Sequence, residues 1–246
     1  MSGKSQHNHF LVIGHRGAAG EKFENSMSGF RHALNLNLAG IIDGVELDIR
    51  AHNGELWVIH DHQLERLSAQ PGLFACLHDP AKVRLINGEP IPKLRHVLDL
   101  CWGKMPINIE IKSLNSASLL VELLAQYPAL EPNPHMPWIL ISSFDHRQIL
   151  VLRQMGCDWA LAPISYGIPM QPMRLIDTLK PYSWHIDDHY LDLELVRKIQ
   201  ARGTRVMVYT VNQINTVHKL RKAGLDGIFT DYPTALHESG KAIASS

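Results

Sequence analysis

The sequence predicts an α/β fold, a (β/α)8 or TIM barrel with a small insertion after the second strand unit. Across the 246 residues, short runs rich in Val and Ile alternate with amphipathic stretches. This alternation is typical of strand–helix units that form a parallel sheet. The units contain about eight strands, the number that closes such a barrel. Because a barrel commonly accommodates roughly 250 residues in one unit, we expect a single domain over residues 1–246.

Each predicted strand is a short apolar run that ends in polar residues. The second strand, GVELDIR, and the third, LWVIHD, are joined through Asn53-Gly54, a dipeptide favoured in tight hairpin turns, so the third strand extends the second unit. The first strand is not followed by the Gly-x-Gly-x-x-Gly spacing of an open nucleotide-binding sheet, which favours the closed barrel. The predicted strands are residues 10–14, 44–50, 56–61, 106–112, 138–144, 159–164, 183–187, 205–211 and 227–231.

The amphipathic stretches between the strands predict helices. The first helix begins after a cap provided by Asn25 or Ser26, ahead of a periodic apolar face. The other predicted helices are residues 93–101, 116–127, 145–155, 172–180, 192–202, 213–223 and 233–240. Residues 62–92 have weak periodicity and several Pro and Gly breakers, so they predict an insertion over one end of the barrel, as a lid or a substrate wall.

The composition excludes several classes of function. Lys and Arg together number 24, as do Asp and Glu, so the formal net charge is zero and no basic field attracts nucleic acid or anionic lipid. No apolar run approaches the roughly 18 residues of a membrane span, so we expect a cytoplasmic protein without stable membrane insertion. Cys76, Cys101 and Cys157 have neither a disulfide nor a zinc-site spacing, and we expect them to be reduced and buried.

Two predicted strands direct acidic side chains toward one interior. Side chains two positions apart share a strand face, so Glu46 and Asp48 point together, and Glu110 lies beside Lys112 on a later strand. Unpaired carboxylates inside a packed barrel are costly, so positive charge is expected between them. Three carboxylates suit Mg²⁺ or Ca²⁺ with open coordination positions. The alternative is a buried ion network in which Lys112 neutralises part of the acidic charge.

Two histidines follow predicted strands, at the rim where barrel enzymes carry their catalytic groups. His15-Arg16 comes after the first strand, and His60-Asp61 comes after the hairpin strand. Histidine exchanges protons near neutral pH, and arginine offers a fork of donors to phosphate oxygens. The two pairs therefore indicate cleavage of a phosphoester. His62 is the nearest rival to His60, but it lies beyond the strand end, in the insertion.

A family resemblance is carried by the segments GHRGAAGEKFENS, VELDIRAHNGELWVIHD, NIEIK, VYTVN and DGIFTDYP. In this order they resemble the glycerophosphodiester phosphodiesterase family, over about residues 11–234. The resemblance implies a metal-dependent TIM barrel that hydrolyses glycerophosphodiesters to sn-glycerol 3-phosphate and an alcohol. Glycerophosphocholine and glycerophosphoethanolamine are examples of such substrates, which belong to lipid and glycerol metabolism.

The resemblance also implies a role for each candidate residue, position by position. The acid–base pair is His15 and His60, with His15 favoured as the base. The metal ligands are Glu46, Asp48 and Glu110. The substrate-binding residues are Arg16, Lys112, Glu24, Asn25 and Tyr209. Tyr209 stands where the family commonly has tryptophan, so it is expected to form an aromatic wall and leaves the substrate preference open.

Several alternatives stay open at the level of the sequence. The nucleophile is either water or the glycerol 2-hydroxyl of the substrate, which would first give a cyclic phosphate, and the cation is either Mg²⁺ or Ca²⁺. The same residues could serve a lysophospholipase D, a phospholipase C-like lipid phosphodiesterase, or a non-catalytic barrel that binds phosphodiesters. The expected partner is a small-molecule glycerophosphodiester, and assembly into a homodimer is possible.

Overall fold

Strands and helices alternate through the part of the chain that the computed structural model describes, residues 9–244. The strands are β1 (Leu11–Gly14), β2 (Gly44–His52), β3 (Glu55–Val58), β4 (Ile107–Ile111), β5 (Ile139–Ser143), β6 (Ala160–Ser165), β7 (Ser183–Asp187), β8 (Arg205–Tyr209) and β9 (Gly227–Thr230). The helices are α1 (Met27–Leu38), α2 (Leu94–Cys101), α3 (Ser116–Leu124), α4 (His146–Gln154), α5 (Pro172–Leu179), α6 (Leu193–Gln200), α7 (Ile214–Ala223) and α8 (Pro233–Ala244). Residues 1–8 and 245–246 of the predicted domain lie outside the described residues.

Eight of the strands close into a parallel barrel. The sheet order is β1-β9-β8-β7-β6-β5-β4-β2, and β1 pairs with β2 as well as with β9. Ile13 of β1 is in register with Gly44 on one side and with Phe229 on the other. This closure confirms the predicted TIM barrel and excludes the open sheet. The ninth strand, β3, lies antiparallel to β2 as the predicted hairpin, with Asn53 and Gly54 at φ angles of 49° and 74° in the turn.

The alternation of side chains along β2 separates a helix-packing face from an interior face. Val45, Leu47 and Ile49 are buried in an apolar cluster that includes side chains of the surrounding helices. Glu46 and Asp48 lie between them in the sequence and therefore face the barrel interior. The same alternation on β4 packs its isoleucines outward and turns Asn108 and Glu110 inward.

Another part of the interior is apolar. Interior positions of β1, β8 and β9, together with Met136, form a separate buried cluster, whose members are Leu11, Ile13, Met136, Met207 and Phe229. The strands approach closely there, because a Cβ atom at Gly227 would meet the carbonyl oxygen of Leu11 at 2.7 Å. The barrel interior thus combines this apolar cluster with the buried polar side chains of β2 and β4.

The predicted elements differ from the observed ones mainly at their ends. Ser26, and not Asn25, caps α1, since its Oγ accepts the backbone N–H of Gly29 at 3.0 Å. α3 ends three residues before the predicted end at residue 127. The backbone N–H groups of Gln126 and Tyr127 donate to carbonyls three residues earlier, in tight turns that do not continue the α-helix. β8 ends at Tyr209, two residues before the predicted end, because Tyr209 is the last residue of this strand that pairs with β7.

The insertion at residues 62–92 has a small apolar core of its own. The buried members of this core are Trp57, Ile59, Leu64, Leu67, Phe74, Val83, Leu85 and Ile91. Two short 3₁₀ helices, Phe74–Cys76 and Pro80–Lys82, form part of the segment. The core attaches the insertion to the end of β3, so its position relative to the barrel is defined by packing.

The cysteine prediction is correct for two positions and wrong for the third. Cys101 and Cys157 are buried, but Cys76 is exposed, because the first 3₁₀ helix of the insertion turns Phe74 inward and leaves Cys76 on the outside. All three thiols are free in the structure. Within residues 9–244, no helix combines the length and the apolar character needed to cross a bilayer.

Candidate active site

The carboxyl ends of the barrel strands bring most of the predicted site residues to one cavity of about 420 Å³. The side chains come from the segment after β1, from β2, from the end of the hairpin, from β4 and from β8. The predicted residues that line the cavity are His15, Arg16, Glu46, His60, Glu110, Lys112 and Tyr209. Asp48 lies beside them with only 1% of its surface exposed. The predicted rim location is therefore the place where these groups meet.

Three carboxylates form a buried trio within this cavity. The parallel register sets Asp48 of β2 opposite Glu110 of β4, and Glu46 opposite Asn108. One oxygen from each of Glu46, Asp48 and Glu110 lies within 4.8 Å of the other two. Such a separation allows the three oxygens to share one ion, as the sequence predicts.

Burial and mutual repulsion disfavour full ionisation of the trio. Burial, together with the charges of Asp48 and Glu110, raises the pKa of Glu46 well above its usual value. Burial and the nearby Asp48 raise the pKa of Glu110 to about 7. Burial also opposes ionisation of Asp48, but Lys112 and Arg16 outweigh it and lower the pKa of that carboxyl. The site therefore favours any added positive charge.

Two cations already contact the trio. The Nζ of Lys112 lies 3.4 Å from Asp48 Oδ1 and contacts Glu110 Oε1 still more closely. The Nε of Arg16 lies 3.3 Å from Asp48 Oδ2, and the backbone N–H of Arg16 donates to Glu46 Oε2 at 2.9 Å. The ion network that the sequence offered as an alternative is thus present, and it involves the same carboxylates as the candidate metal site.

The donor set fits a hard divalent cation even with this network in place. The Oε1 atom of Glu46 and the Oδ1 atom of Asn108 are buried without a hydrogen-bond partner among the described residues. Buried acceptors are normally satisfied, so these two oxygens call for a cation or a donor that comes from outside the chain. Carboxylate and amide oxygens are ligands that Mg²⁺ and Ca²⁺ prefer.

The loop after β1 folds back over β2 through unusual backbone conformations. Arg16 and Asn25 have φ angles of 49° and 50°, and Gly17 has one of 100°. This path sends the Nδ2 of Asn25 to Asp48 Oδ2 at 2.8 Å, and it sends Glu24 Oε1 to the Nη1 of Arg16 at 3.0 Å. Glu24 and Asn25, which were predicted among the substrate-binding residues, are not among the side chains that line the cavity, and they bond to Arg16 and Asp48.

Each candidate histidine is oriented by a carboxylate on its Nδ1 side. His15 Nδ1 lies 2.7 Å from Asp231 Oδ1, and His60 Nδ1 lies 2.6 Å from Asp61 Oδ1. A carboxylate at Nδ1 favours the tautomer with a proton on that nitrogen, which leaves Nε2 to exchange protons with a ligand. Burial lowers the pKa of His60 despite the nearby charge of Asp48, so its neutral form is favoured in the free protein.

Further residues, which were not among the predicted site residues, support the histidines. Asn212 donates to Asp231 Oδ2 at 2.8 Å, and Arg50 donates to the backbone carbonyl of His60 at 2.7 and 3.0 Å. Asp231 and Asn212 lie inside the motifs DGIFTDYP and VYTVN, so the signal was present in the sequence. Their pairing was not predictable, because His15 and Asp231 are 216 positions apart.

An aromatic wall faces the acidic side of the cavity. Tyr209 lines it as predicted, with its hydroxyl donating to the carbonyl of Ser165 at 3.0 Å and its ring 5.9 Å from that of Phe144 in an edge-on contact. Burial raises the pKa of Tyr209, so its hydroxyl stays protonated at neutral pH. The wall supplies apolar surface for the parts of a ligand that carry no charge.

The chain is similar to known proteins over most of its length. The glycerophosphoryl diester phosphodiesterase family model matches residues 15–235. A glycerophosphodiester phosphodiesterase from Caldanaerobacter subterraneus subsp. tengcongensis is 28% identical over 242 residues, which cover 92% of this chain and 96% of that protein. One from Bacillus altitudinis is 28% identical over 245 residues, with 90% and 94% coverage.

A solved structure shows the same fold. A phosphodiesterase from Oleispira antarctica, in complex with the product sn-glycerol-3-phosphate, has a TM-score of 0.83 and 24% sequence identity. The match covers 94% of this chain and 96% of that chain. At 24% identity, the comparison shows that the two proteins share a fold.

The Glu46→Gln substitution tests two properties of the acidic trio separately, namely its effect on stability and its affinity for a cation. In EDTA, the variant should be more stable by about 1 kcal/mol, or roughly 2–4 °C in Tm, because it removes a carboxyl disfavoured by burial while keeping an acceptor for Arg16 N–H. Its affinity for Mg²⁺ should fall about tenfold or more, because a charged ligand is lost. Thermal unfolding and calorimetry measure the two effects.

The control for this prediction is Asp187→Asn. Asp187, Asp188 and His189 form the other group of potential ligands among the described residues, at the rim of the cavity. The control variant should bind Mg²⁺ like the wild type. Loss of binding in the control, or unchanged affinity in the Glu46 variant, would place the cation elsewhere.

Proposed function

Since the chain belongs to the glycerophosphoryl diester phosphodiesterase family, we propose that it hydrolyses glycerophosphodiesters to sn-glycerol 3-phosphate and an alcohol, by metal-dependent catalysis with two histidines. Glycerophosphocholine and glycerophosphoethanolamine are the proposed substrates. The proposal is supported by the match over residues 15–235 and by the product, sn-glycerol-3-phosphate, described for the Oleispira antarctica phosphodiesterase.

The observation that carries the proposal is the combination of two carboxylate-oriented histidines with a buried acidic trio in one cavity. His15 and His60 each have Nδ1 within 2.7 Å of a carboxylate oxygen, and both line the cavity together with Glu46 and Glu110. A barrel that only bound phosphodiesters would need cations near the phosphate. It would have no need for two proton-exchanging rings at the same place, each with an oriented tautomer.

The proposed cation is a single Mg²⁺ or Ca²⁺ held by Glu46, Asp48 and Glu110. When bound, such an ion supplies positive charge that polarises a phosphoryl group and offsets its negative charge. Arg16 and Lys112 lie at the same cavity, and their side chains can then pair with phosphate oxygens instead of carboxylates. Arg16 has a fork of donors suited to two phosphate oxygens, whereas Lys112 contributes a point charge.

The two histidines perform opposite proton transfers in the proposed reaction. One Nε2 accepts the proton of the attacking water as its oxygen bonds to phosphorus. The bond between phosphorus and the alcohol oxygen breaks, and the other Nε2 donates a proton to that oxygen. If the 2-hydroxyl of the glycerol attacks first, the same pair serves both formation and hydrolysis of the cyclic phosphate. Asp231 and Asp61 stabilise whichever ring is positively charged.

Release of sn-glycerol 3-phosphate from a substrate panel tests the function. Glycerophosphocholine and glycerophosphoethanolamine should be cleaved in the presence of Mg²⁺ or Ca²⁺, and cleavage should stop in EDTA and return when the cation is restored. Lysophosphatidylcholine is the comparison substrate for a lysophospholipase D. Faster cleavage of that lipid would contradict the proposed substrate class, and full activity of metal-free protein would remove the metal from the proposal.

Substitution of the histidines tests the catalytic assignment. His15→Ala and His60→Ala should each lower kcat by about 10²–10⁴-fold, because each removes one proton-transfer group. His62→Ala is the matched control, since His62 is exposed and only two positions from His60. Circular dichroism and thermal unfolding should show native folds throughout. Near-normal turnover by a double His15, His60 variant would defeat the assignment.

A further inference from the structure

Arg66 lies in the insertion and bonds to two carboxylates that serve different parts of the site. Its Nη1 and Nη2 atoms donate to Glu24 Oε2 and Oε1 at 2.6 and 2.8 Å, in a bidentate pair. Its Nε donates to Asp61 Oδ2 at 2.9 Å. One guanidinium fork is therefore shared between the loop after β1 and the segment after β3, with three directed hydrogen bonds.

Each of these carboxylates has a second partner in the proposed machinery. Glu24 Oε1 also accepts from Arg16 Nη1 at 3.0 Å, and Asp61 Oδ1 is 2.6 Å from His60 Nδ1. These hydrogen bonds form one continuous network that runs from Arg16 through Glu24, Arg66 and Asp61 to His60. A phosphate-facing arginine and a proton-transferring histidine are thus joined through a residue that touches neither of them.

Within this set of hydrogen bonds, Arg66 compensates the negative charges of Glu24 and Asp61. Glu24 and Asp61 are two carboxylates that converge on the same guanidinium, and the hydrogen bonds and charge of Arg66 help to lower the pKa of both, to about 2 for Asp61. Without Arg66, Glu24 would have Arg16 as its remaining cation and would compete with the phosphate for it. The second oxygen of Asp61 would also lose its bond, so the carboxylate could rotate away from His60.

The position of the insertion agrees with a supporting role. It was predicted to form a lid or a substrate wall, yet within the described residues the side chains that line the cavity come from outside residues 62–92. The small core of the insertion packs Leu64 and Leu67 on either side of Arg66 in the sequence, which directs the half-exposed arginine toward the barrel. The insertion therefore reaches the site through Arg66.

We infer that Arg66 is a positioning residue for the phosphodiesterase reaction. Arg66 holds Asp61 in its contact with His60, and it pairs with Glu24 so that this carboxylate does not compete with the phosphate for Arg16. This inference rests on the proposed function. It assigns to the insertion the task of setting the orientation of two residues, instead of covering the substrate.

The test compares kcat and KM for glycerophosphocholine among the wild type and five variants in saturating Mg²⁺. Arg66→Met should lower kcat about tenfold and raise KM severalfold, in line with the typical effect of removing a residue that orients a catalytic group. Arg66→Lys should fall between this variant and the wild type, because lysine keeps the charge but cannot bridge both carboxylates with a planar fork. In an Asp61→Asn background, Arg66→Met should lower kcat by no more than about twofold.

Arg84→Met is the matched control, because Arg84 lies in the same insertion and is exposed, with bonds to the backbone carbonyls of Ala81 and Val83. It should leave kcat and KM within about twofold of the wild type. A similar loss in this control, a kcat of Arg66→Met within twofold of the wild type, or full additivity with Asp61→Asn would overturn the inference. A wild-type protein that cleaves no glycerophosphodiester would instead contradict the proposed function.

Discussion

The repulsion among three buried carboxylates is the constraint on which the rest of the site depends. Simultaneous ionisation of Glu46, Asp48 and Glu110 is disfavoured in the barrel interior, since burial and mutual repulsion raise the pKa values of Glu46 and Glu110. Lys112 and Arg16 supply part of the compensating positive charge. The remainder is the physical reason to propose a divalent cation, and in the proposed reaction the same two side chains would be available to a phosphate group.

The barrel can hold these charged groups because successive side chains of a strand point to opposite faces, so one face can be polar while the other packs in the apolar core. The outward residues of β2 and β4 belong to the main apolar core, while the inward residues are free to be polar. A separate apolar cluster on β1, β8 and β9, with Met136, fills another part of the interior. Stability therefore resides in the helix-facing core, and the charged wall can be adapted to chemistry.

The sequence predicted those parts of the molecule that follow from short periodic patterns. The period of two on β2 and β4 located Glu46, Asp48 and Glu110, and strand ends located the two histidines. Relations that depend on loop conformation were out of reach. The left-handed backbone at Arg16 and Asn25 turns Asn25 onto Asp48, and no periodicity encodes that turn. The contacts of Arg66 were equally hidden, because its partner Glu24 is 42 positions away.

The most direct test of the account is a crystal structure grown with Mn²⁺ and sn-glycerol 3-phosphate, with anomalous scattering used to locate the metal. We expect one strong peak bounded by oxygens of Glu46, Asp48 and Glu110, with the phosphate beside it and the Nε2 atoms of both histidines facing the phosphate. A peak at another group of side chains, or an acidic trio that remains paired with Lys112 and Arg16 and has no metal in it, would rule out the proposed site.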